Sequence, residues 1–491
     1  MAESTAESTN QPLESLANLV RSAVIWRSGT QILGQMIAWG STFLVIRILT
    51  PADYGLFAMT SVVLVLLNLV NGYGLANAVI QRDDVDRRLL QQLFGMLIVL
   101  NGGLALLQCG LAPLAAAYYR QPVVADLLRV QALLYLTTPF IALAYAVLCR
   151  RMDFRHQAEA NLVSALAGAG ASLAGAYMGL GVWTLVLAPV VLFATRALSM
   201  TIAAKSWMWP RFDFRGAGMI ARYGALVAVG QFFWFLQTQA DIFIAGRAFD
   251  PHALGIYTTA LFLTQIFVTK FVPPLNEVAF SAYARIQDDR GAVAYAFLKS
   301  VRVIFLVGLP FYAGFAVTAE PLVHVVLGEK WLETAPVVRL LAIAMPFMTL
   351  QVLFAPAVEA LGRPGISTRN SMVGAILLPI AFLIGVQGGE RGIALAWAVG
   401  YPVLVAISSI WTLPVIGVRR REIGVALAPA LLASAAMGGV VLLVDLGWAA
   451  GQSPVVRLAI LVGVGVATYG LWLLAFARPA VTEVIRLIRR R

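Results

Sequence analysis

Long apolar runs separated by short polar connections set the pattern of this chain. The runs lie near 24–48, 55–80, 90–117, 123–148, 158–178, 181–204, 219–246, 255–280, 301–320, 334–360, 369–387, 392–417, 423–446 and 455–476. A run of about 20 apolar residues, coiled at about 1.5 Å per residue, crosses the roughly 30 Å of hydrocarbon in a bilayer. The runs are continuous rather than alternating, which disfavours a closed β-barrel. The pattern therefore predicts an all-α integral membrane protein of about 14 transmembrane helices. Only Gly179, Leu180 and Gly181 separate the fifth and sixth runs. The ninth is short and follows an amphipathic stretch, and the connection SAYARIQDDRGAVAYAFLKS predicts a helix lying on the membrane surface.

One stretch is written twice. QILGQMIAWGSTFLVIRILTPADYG begins at Gln31, and QFFWFLQTQADIFIAGRAFDPHALG begins 200 residues later at Gln231. Without gaps, Phe43 meets Phe243, Arg47 meets Arg247, Pro51 meets Pro251 and Gly55 meets Gly255. Each copy reads as an apolar helix, an arginine at its end, a proline–glycine turn and a second apolar helix. The repetition predicts two structurally related halves, read as two bundles of six helices with a further helix pair at the C-terminus. The boundaries that follow are a polar tail over 1–20, a first lobe over 21–204 and a connecting loop over 205–218. A second lobe follows over 219–417, then the helix pair and a basic tail over 418–491.

Composition agrees with the pattern: 60% of residues are hydrophobic, 12% are charged, and the mean hydropathy is +0.83. The formal net charge of +12 could suggest nucleic acid, but the arginines sit in short connections between apolar runs and no nucleic-acid motif accompanies them. That distribution is a topology signal. Placing the N-terminus in the cytoplasm puts Arg82, Arg87, Arg88, Arg150, Arg151, Arg155, Lys205, Arg211, Arg285, Arg363, Arg369 and the Arg419–Arg421 run inside. Arg120, Arg247, Lys330 and Arg391 fall outside. Both termini are then cytoplasmic. The opening MAESTAESTNQ lacks the basic start of a signal peptide and reads as a disordered tail. Cys109 and Cys149 fall near opposite ends of adjacent spans, so no disulfide is expected. His156, His252 and His324 have no metal-ligand spacing, and neither a metal nor a cofactor is expected. In the connection KSWMWPRFDFR, Lys205, Trp207 and Trp209 suit an anchor at the membrane interface.

The strings RILTPADYGLFA, RRMDFR, GVWTLV and above all DIFIAGRAFDPHALGIYTTA resemble the polysaccharide-transporter branch of the multidrug/oligosaccharidyl-lipid/polysaccharide exporter superfamily. The colanic-acid and xanthan exporter type looks most similar, and the resemblance runs from about residue 20 to 480. It implies two pseudo-symmetric six-helix lobes around a central cavity, and a flippase in the bacterial inner membrane, not an enzyme. The substrate implied is an undecaprenyl-pyrophosphate-linked repeat unit of exopolysaccharide, capsule or O-antigen, moved by alternating access, with a polysaccharide polymerase and co-polymerase as possible partners.

Moving a pyrophosphate through hydrocarbon requires compensating cations along a hydrated, shielded path. Arg27, Arg196, Arg222 and Lys270 are the candidate pyrophosphate-binding residues, being cations inside or at the mouths of spans on the expected cytoplasmic side. For the arginines the plain reading is snorkelling to headgroups; for Lys270 it is an internal pair with Glu277 or with another span. Pro273 and Pro274 follow Lys270 and should disturb the helix there. Asp241 is one of few acids well inside a span. A carboxylate in low dielectric favours taking up a proton, so Asp241 is the candidate coupling-ion site. The competing reading is a pair with Arg47 or Arg247, which are themselves candidates for an outer gate or for capping their helices. A drug or small-solute antiporter of the same superfamily is the alternative transporter. A membrane polymerase or ligase is disfavoured, because no outer connection is long and no nucleophile or carboxylate pair is present. No Walker A string occurs either.

Overall fold

The computed structural model describes residues 30, 32–71, 86–213 and 218–478, apart from the side chains of 218–230 and 450. The expected tail 1–20, Arg27 and the basic end RLIRRR lie outside the described residues. Among the described residues there is no strand, and each of the 14 expected spans overlaps a helix. In the first half these are α1 (Ile32–Ile48), α2 (Pro51–Asn68), α3 (Arg87–Tyr119), α4 (Val123–Arg150), α5 (Phe154–Tyr177) and α6 (Val182–Ala204). The second half holds α7 (Gly218–Ala248), α8 (Pro251–Arg285), α9 (Arg290–Val317), α10 (Thr334–Ala360), α11 (Pro364–Gly385), α12 (Gly389–Ile416), α13 (Arg420–Gly447) and α14 (Pro454–Phe476). The chain is a multi-pass membrane protein.

The twice-written turn has one geometry in both copies. The backbone N–H of Leu49 donates to the Val45 carbonyl at 2.9 Å, and that of Phe249 to the Ala245 carbonyl at 2.8 Å. Thr50 then caps α2, its oxygen accepting from the Asp53 N–H, while Asp53 accepts from the Thr50 N–H at 2.9 Å. Asp250 caps α8 by accepting from the Ala253 N–H at 2.8 Å. Pro51 and Pro251 occupy the first helical position, where a missing N–H costs nothing. The glycines are not the turn-makers expected of them: Gly55 and Gly255 lie buried a turn inside their helices. Cap and proline make the restart.

Two other connections differ from expectation. The stretch around Asp288 is a tight turn between two long helices, not a helix of its own. α9 starts at Arg290, eleven positions before the expected 301, and its 28 residues extend about 42 Å. Asp289 accepts from the N–H groups of Gly291 and Ala292 and so starts the helix early. The α5–α6 hairpin turns on Gly179 (φ +73°) and Gly181 (φ +55°). Gly168 and Gly175 let α5 approach α6: a Cβ on them would lie 2.8 Å from Leu192 and 3.0 Å from Thr184.

The chain divides into two compact units, Met1–Val229 and Gly230–Arg491. In the first, α3, α4 and α6 share apolar clusters around Leu97, Leu143 and Met200. Buried amides cross-link it: Gln131 donates to Thr60 at 2.9 Å and Gln108 to the Leu128 carbonyl at 2.7 Å. In the second, α13 and α14 pack on α9 through Met437, Val441, Leu461 and Leu473. The turn between them is tied down by Arg457, whose guanidinium donates to both oxygens of Asp445 at 2.7 and 2.9 Å and reaches Glu320 at 3.4 Å. Arg457 and Asp445 are largely buried. Arg457→Ala would leave Asp445 without its charged hydrogen-bond donor and is expected to cost about 2 kcal/mol. Thermal melting in detergent reads this, and an unchanged midpoint would show that the pair contributes nothing.

Candidate functional site

The most deeply buried polar chemistry of the second unit centres on Asp241 in α7. Its side chain is fully buried, and among the described residues of the unit none forms an ion pair with it. The Tyr257 hydroxyl, nearly two turns into α8, donates to Asp241 Oδ2 at 2.5 Å. The Trp397 indole N–H, on α12, donates to that same Tyr257 oxygen at 2.7 Å. Tyr257 and Trp397 are 0% and 1% exposed, so water does not compete for these bonds.

The direction of this relay is fixed by chemistry. An indole N–H can only donate, so the Tyr257 oxygen accepts from Trp397 and its own proton must go to Asp241. Asp241 Oδ1 is then left buried and without a hydrogen-bond partner. Such an oxygen is costly in a low-dielectric interior. Oδ2, by contrast, is held by its bond from Tyr257. Among the described residues no cluster of three or more His, Cys, Asp or Glu could hold a metal ion.

Helix packing sets these positions. Trp397 stacks on Tyr401 with ring centroids 4.9 Å apart and planes 10° from parallel, and it leans on Phe382 of α11 at 5.5 Å. One turn before Asp241, Gln237 lies against Gly374 of α11, where a Cβ would come within 2.6 Å of its oxygen. α11 and α12 meet at a glycine contact: a Cβ on Gly392 would stand 2.1 Å from the Gly385 carbonyl oxygen. This hairpin brings the α12 aromatic rings to α7 and α8.

Lys270, a cationic candidate of the same unit, takes no part in this relay. Lys270 is exposed on α8 within a π-helical turn, Phe267–Phe271, where the expected disturbance ahead of Pro273 and Pro274 is found. A π-bulge shifts the hydrogen-bond ladder, and the helix then restarts with both prolines in its first turn. Among the described residues Lys270 forms neither a hydrogen bond nor an ion pair, so the suggested Glu277 pair is not made. Arg196 is half-buried in the first unit, donating to Ser164 Oγ at 3.4 Å with its guanidinium 5.5 Å from the Phe193 ring. Arg222 lies on α7 with its side chain outside the described residues. Arg47 and Arg247 are exposed in the last turns of α1 and α7, and the suggested Asp241–Arg247 pair is replaced by the bond from Tyr257.

A model of a polysaccharide biosynthesis protein family matches residues 44–336, more than half of the chain. The chain belongs to that family. The teichuronic acid biosynthesis protein TuaB of Bacillus subtilis (strain 168) is 26% identical over 423 residues, covering 84% of this chain and 86% of TuaB. The lipopolysaccharide biosynthesis protein WzxC of Escherichia coli (strain K12) is 24% identical and covers 77% of each chain. In fold, the lipid II flippase MurJ in its inward closed conformation matches with a TM-score of 0.75 at 13% identity, over 93% of this chain and 100% of MurJ. The family region includes Asp241 and Tyr257 but stops short of Trp397. Reading the sequence alone found Asp241 by its charge inside a span and missed Trp397, Tyr401 and Gln237. An aromatic or amide residue in an apolar helix carries no comparable signal.

Proposed function

We propose that this member of the polysaccharide biosynthesis family is a flippase for undecaprenyl-pyrophosphate-linked oligosaccharide repeat units. It moves them across the bacterial inner membrane by alternating access and supplies a polymerase on the far side. Both termini face the cytoplasm in this reading, as the placement of basic connections indicates. The observation that carries the proposal is similarity over 84% and 77% of the chain to proteins named for teichuronic acid and lipopolysaccharide biosynthesis. The chemistry of the chain is consistent with it. Lys270 and Arg196 are cations within spans suited to an anionic linkage, and Asp241 is a buried carboxylate with one oxygen open for a coupling proton or sodium ion. In this role the enzymatic chemistry of sugar assembly belongs to other proteins.

The test is the accessibility of a labelled lipid-linked oligosaccharide on the two faces of proteoliposomes holding the purified chain. Faster exchange than in protein-free vesicles is expected. Transport of organic cations with no movement of the lipid-linked sugar would replace the proposal with a small-solute antiporter. In the same assay Lys270→Glu is expected to slow exchange at least about tenfold, the scale of losing a charge-assisted phosphate contact, and Lys270→Ala to slow it less. Normal exchange by both variants would remove Lys270 from the substrate path.

A further inference from the structure

The segment that leaves α6 is an extended strap held against its own unit. Its side chains alternate with the period of two expected of extended chain: Ser206 is buried and Met208 turns inward, while Trp207 and Trp209 point out at 68% and 86% exposure. Met208 joins the apolar cluster of Leu93, Phe94 and Leu97 on α3. The Arg211 backbone N–H donates to the Gln91 carbonyl at 2.9 Å. Gly95 makes the close approach possible, since a Cβ there would lie 2.1 Å from the Arg211 carbonyl oxygen. Cations bracket the strap. Arg88 meets Asp213 at 3.3 Å, and Arg151 donates to the Ala204 carbonyl at 3.0 Å, beside Lys205. The strap is thus fixed along α3 and presents a comb of two indoles between exposed basic residues. A soluble surface has no use for two such rings held out of contact.

We propose that this comb is a binding site for anionic phospholipid headgroups of the leaflet that the strap faces. Indole rings settle at the headgroup level of a bilayer, and lysine and arginine there attract anionic lipids. The local charge is complementary: Lys205 and Arg211 flank the rings along the strap and are exposed, and the neighbouring Asp213 is already met by Arg88. The site docks the first unit at the interface, and it does not depend on the identity of the transported molecule.

The test uses the full-length purified chain and two probes, dioleoylphosphatidylglycerol and dioleoylphosphatidylcholine, with native mass spectrometry reading bound lipid. Wild type is expected to prefer phosphatidylglycerol. Lys205→Gln with Arg211→Gln is expected to weaken phosphatidylglycerol binding about tenfold and leave phosphatidylcholine unchanged. Trp207→Ser with Trp209→Ser is expected to weaken both. Melting in lipid-free detergent checks folding. Should a serine variant fold poorly, the Trp207→Phe, Trp209→Phe variant supplies a second reading, because it should lose quenching of tryptophan emission by brominated phosphatidylglycerol. Equal binding of the two lipids by wild type would overturn the proposal, as would unchanged phosphatidylglycerol affinity in the charge variant. So would capture of a polypeptide at the strap that leaves lipid binding intact.

Discussion

Asp241→Asn is expected to abolish the response of sugar exchange to an imposed proton or sodium gradient, lowering gradient-driven exchange at least about tenfold. The protein should accumulate and melt as the wild type does. An asparagine oxygen still accepts from the Tyr257 hydroxyl, and the relay from Trp397 remains whole. The amide nitrogen takes the place of Oδ1, the buried oxygen that lacks a partner, and it can neither bind a proton nor attract a cation. Asp241→Ala differs in kind. It strands the Tyr257 hydroxyl in a dry interior at a cost of about 1–3 kcal/mol, so its loss of exchange would mix function with stability. Proteoliposomes holding wild type or the asparagine variant, with the gradient set or collapsed, separate the two effects. A variant that responds to the gradient as the wild type does would make the relay purely structural.

Gly392→Leu is expected to be the most damaging single change in the second unit, costing more than about 4 kcal/mol and leaving little folded protein in the membrane. The added Cβ would lie 2.1 Å from the Gly385 carbonyl oxygen, and the clash is with backbone rather than with a side chain that could swing away. Relief requires α11 and α12 to separate, which withdraws Trp397 from Tyr257 and exposes the packing of Phe382. The neighbouring Gly388 is the control: nothing lies within 4 Å of its Cβ position and its φ is −94°, so Gly388→Ala should behave as wild type. Membrane yield and detergent melting measure both. A stable Gly392→Leu protein would mean that the close contact is dispensable.

The spans were legible because each must satisfy its backbone internally and cover its length with apolar side chains, both of which are local demands. The expected 334–360 coincides with α10, and 24–48 ends where α1 ends. The turn at residues 49–51 and its counterpart at 249–251 were legible for the same reason: cap and proline act within four residues. Errors arose where one local signal was given the wrong weight. Gly55 and Gly255 drew attention as turn residues, while Thr50 and Asp250 made the turn. The connection over 281–300 reads as a surface helix, but the Asp289 cap starts α9 within it, at Arg290.

The Asp241 site shows the other limit. A carboxylate within an apolar run is visible to anyone reading the chain, and so is its asymmetry with Ser41, which only bonds back to the Ala38 carbonyl of its own helix. Its partner is not visible. Tyr257 is 16 positions away and Trp397 is 140 beyond Tyr257, and neither differs in composition from the other aromatic residues of these helices. The sequence by itself determined the class of protein, the helices, the repeated turn and the buried acid, since hydropathy, capping and charge are properties of neighbours along the chain. Only the tertiary structure decided that Asp241 meets a tyrosine rather than an arginine, because that choice depends on which faces α7, α8 and α12 turn towards one another.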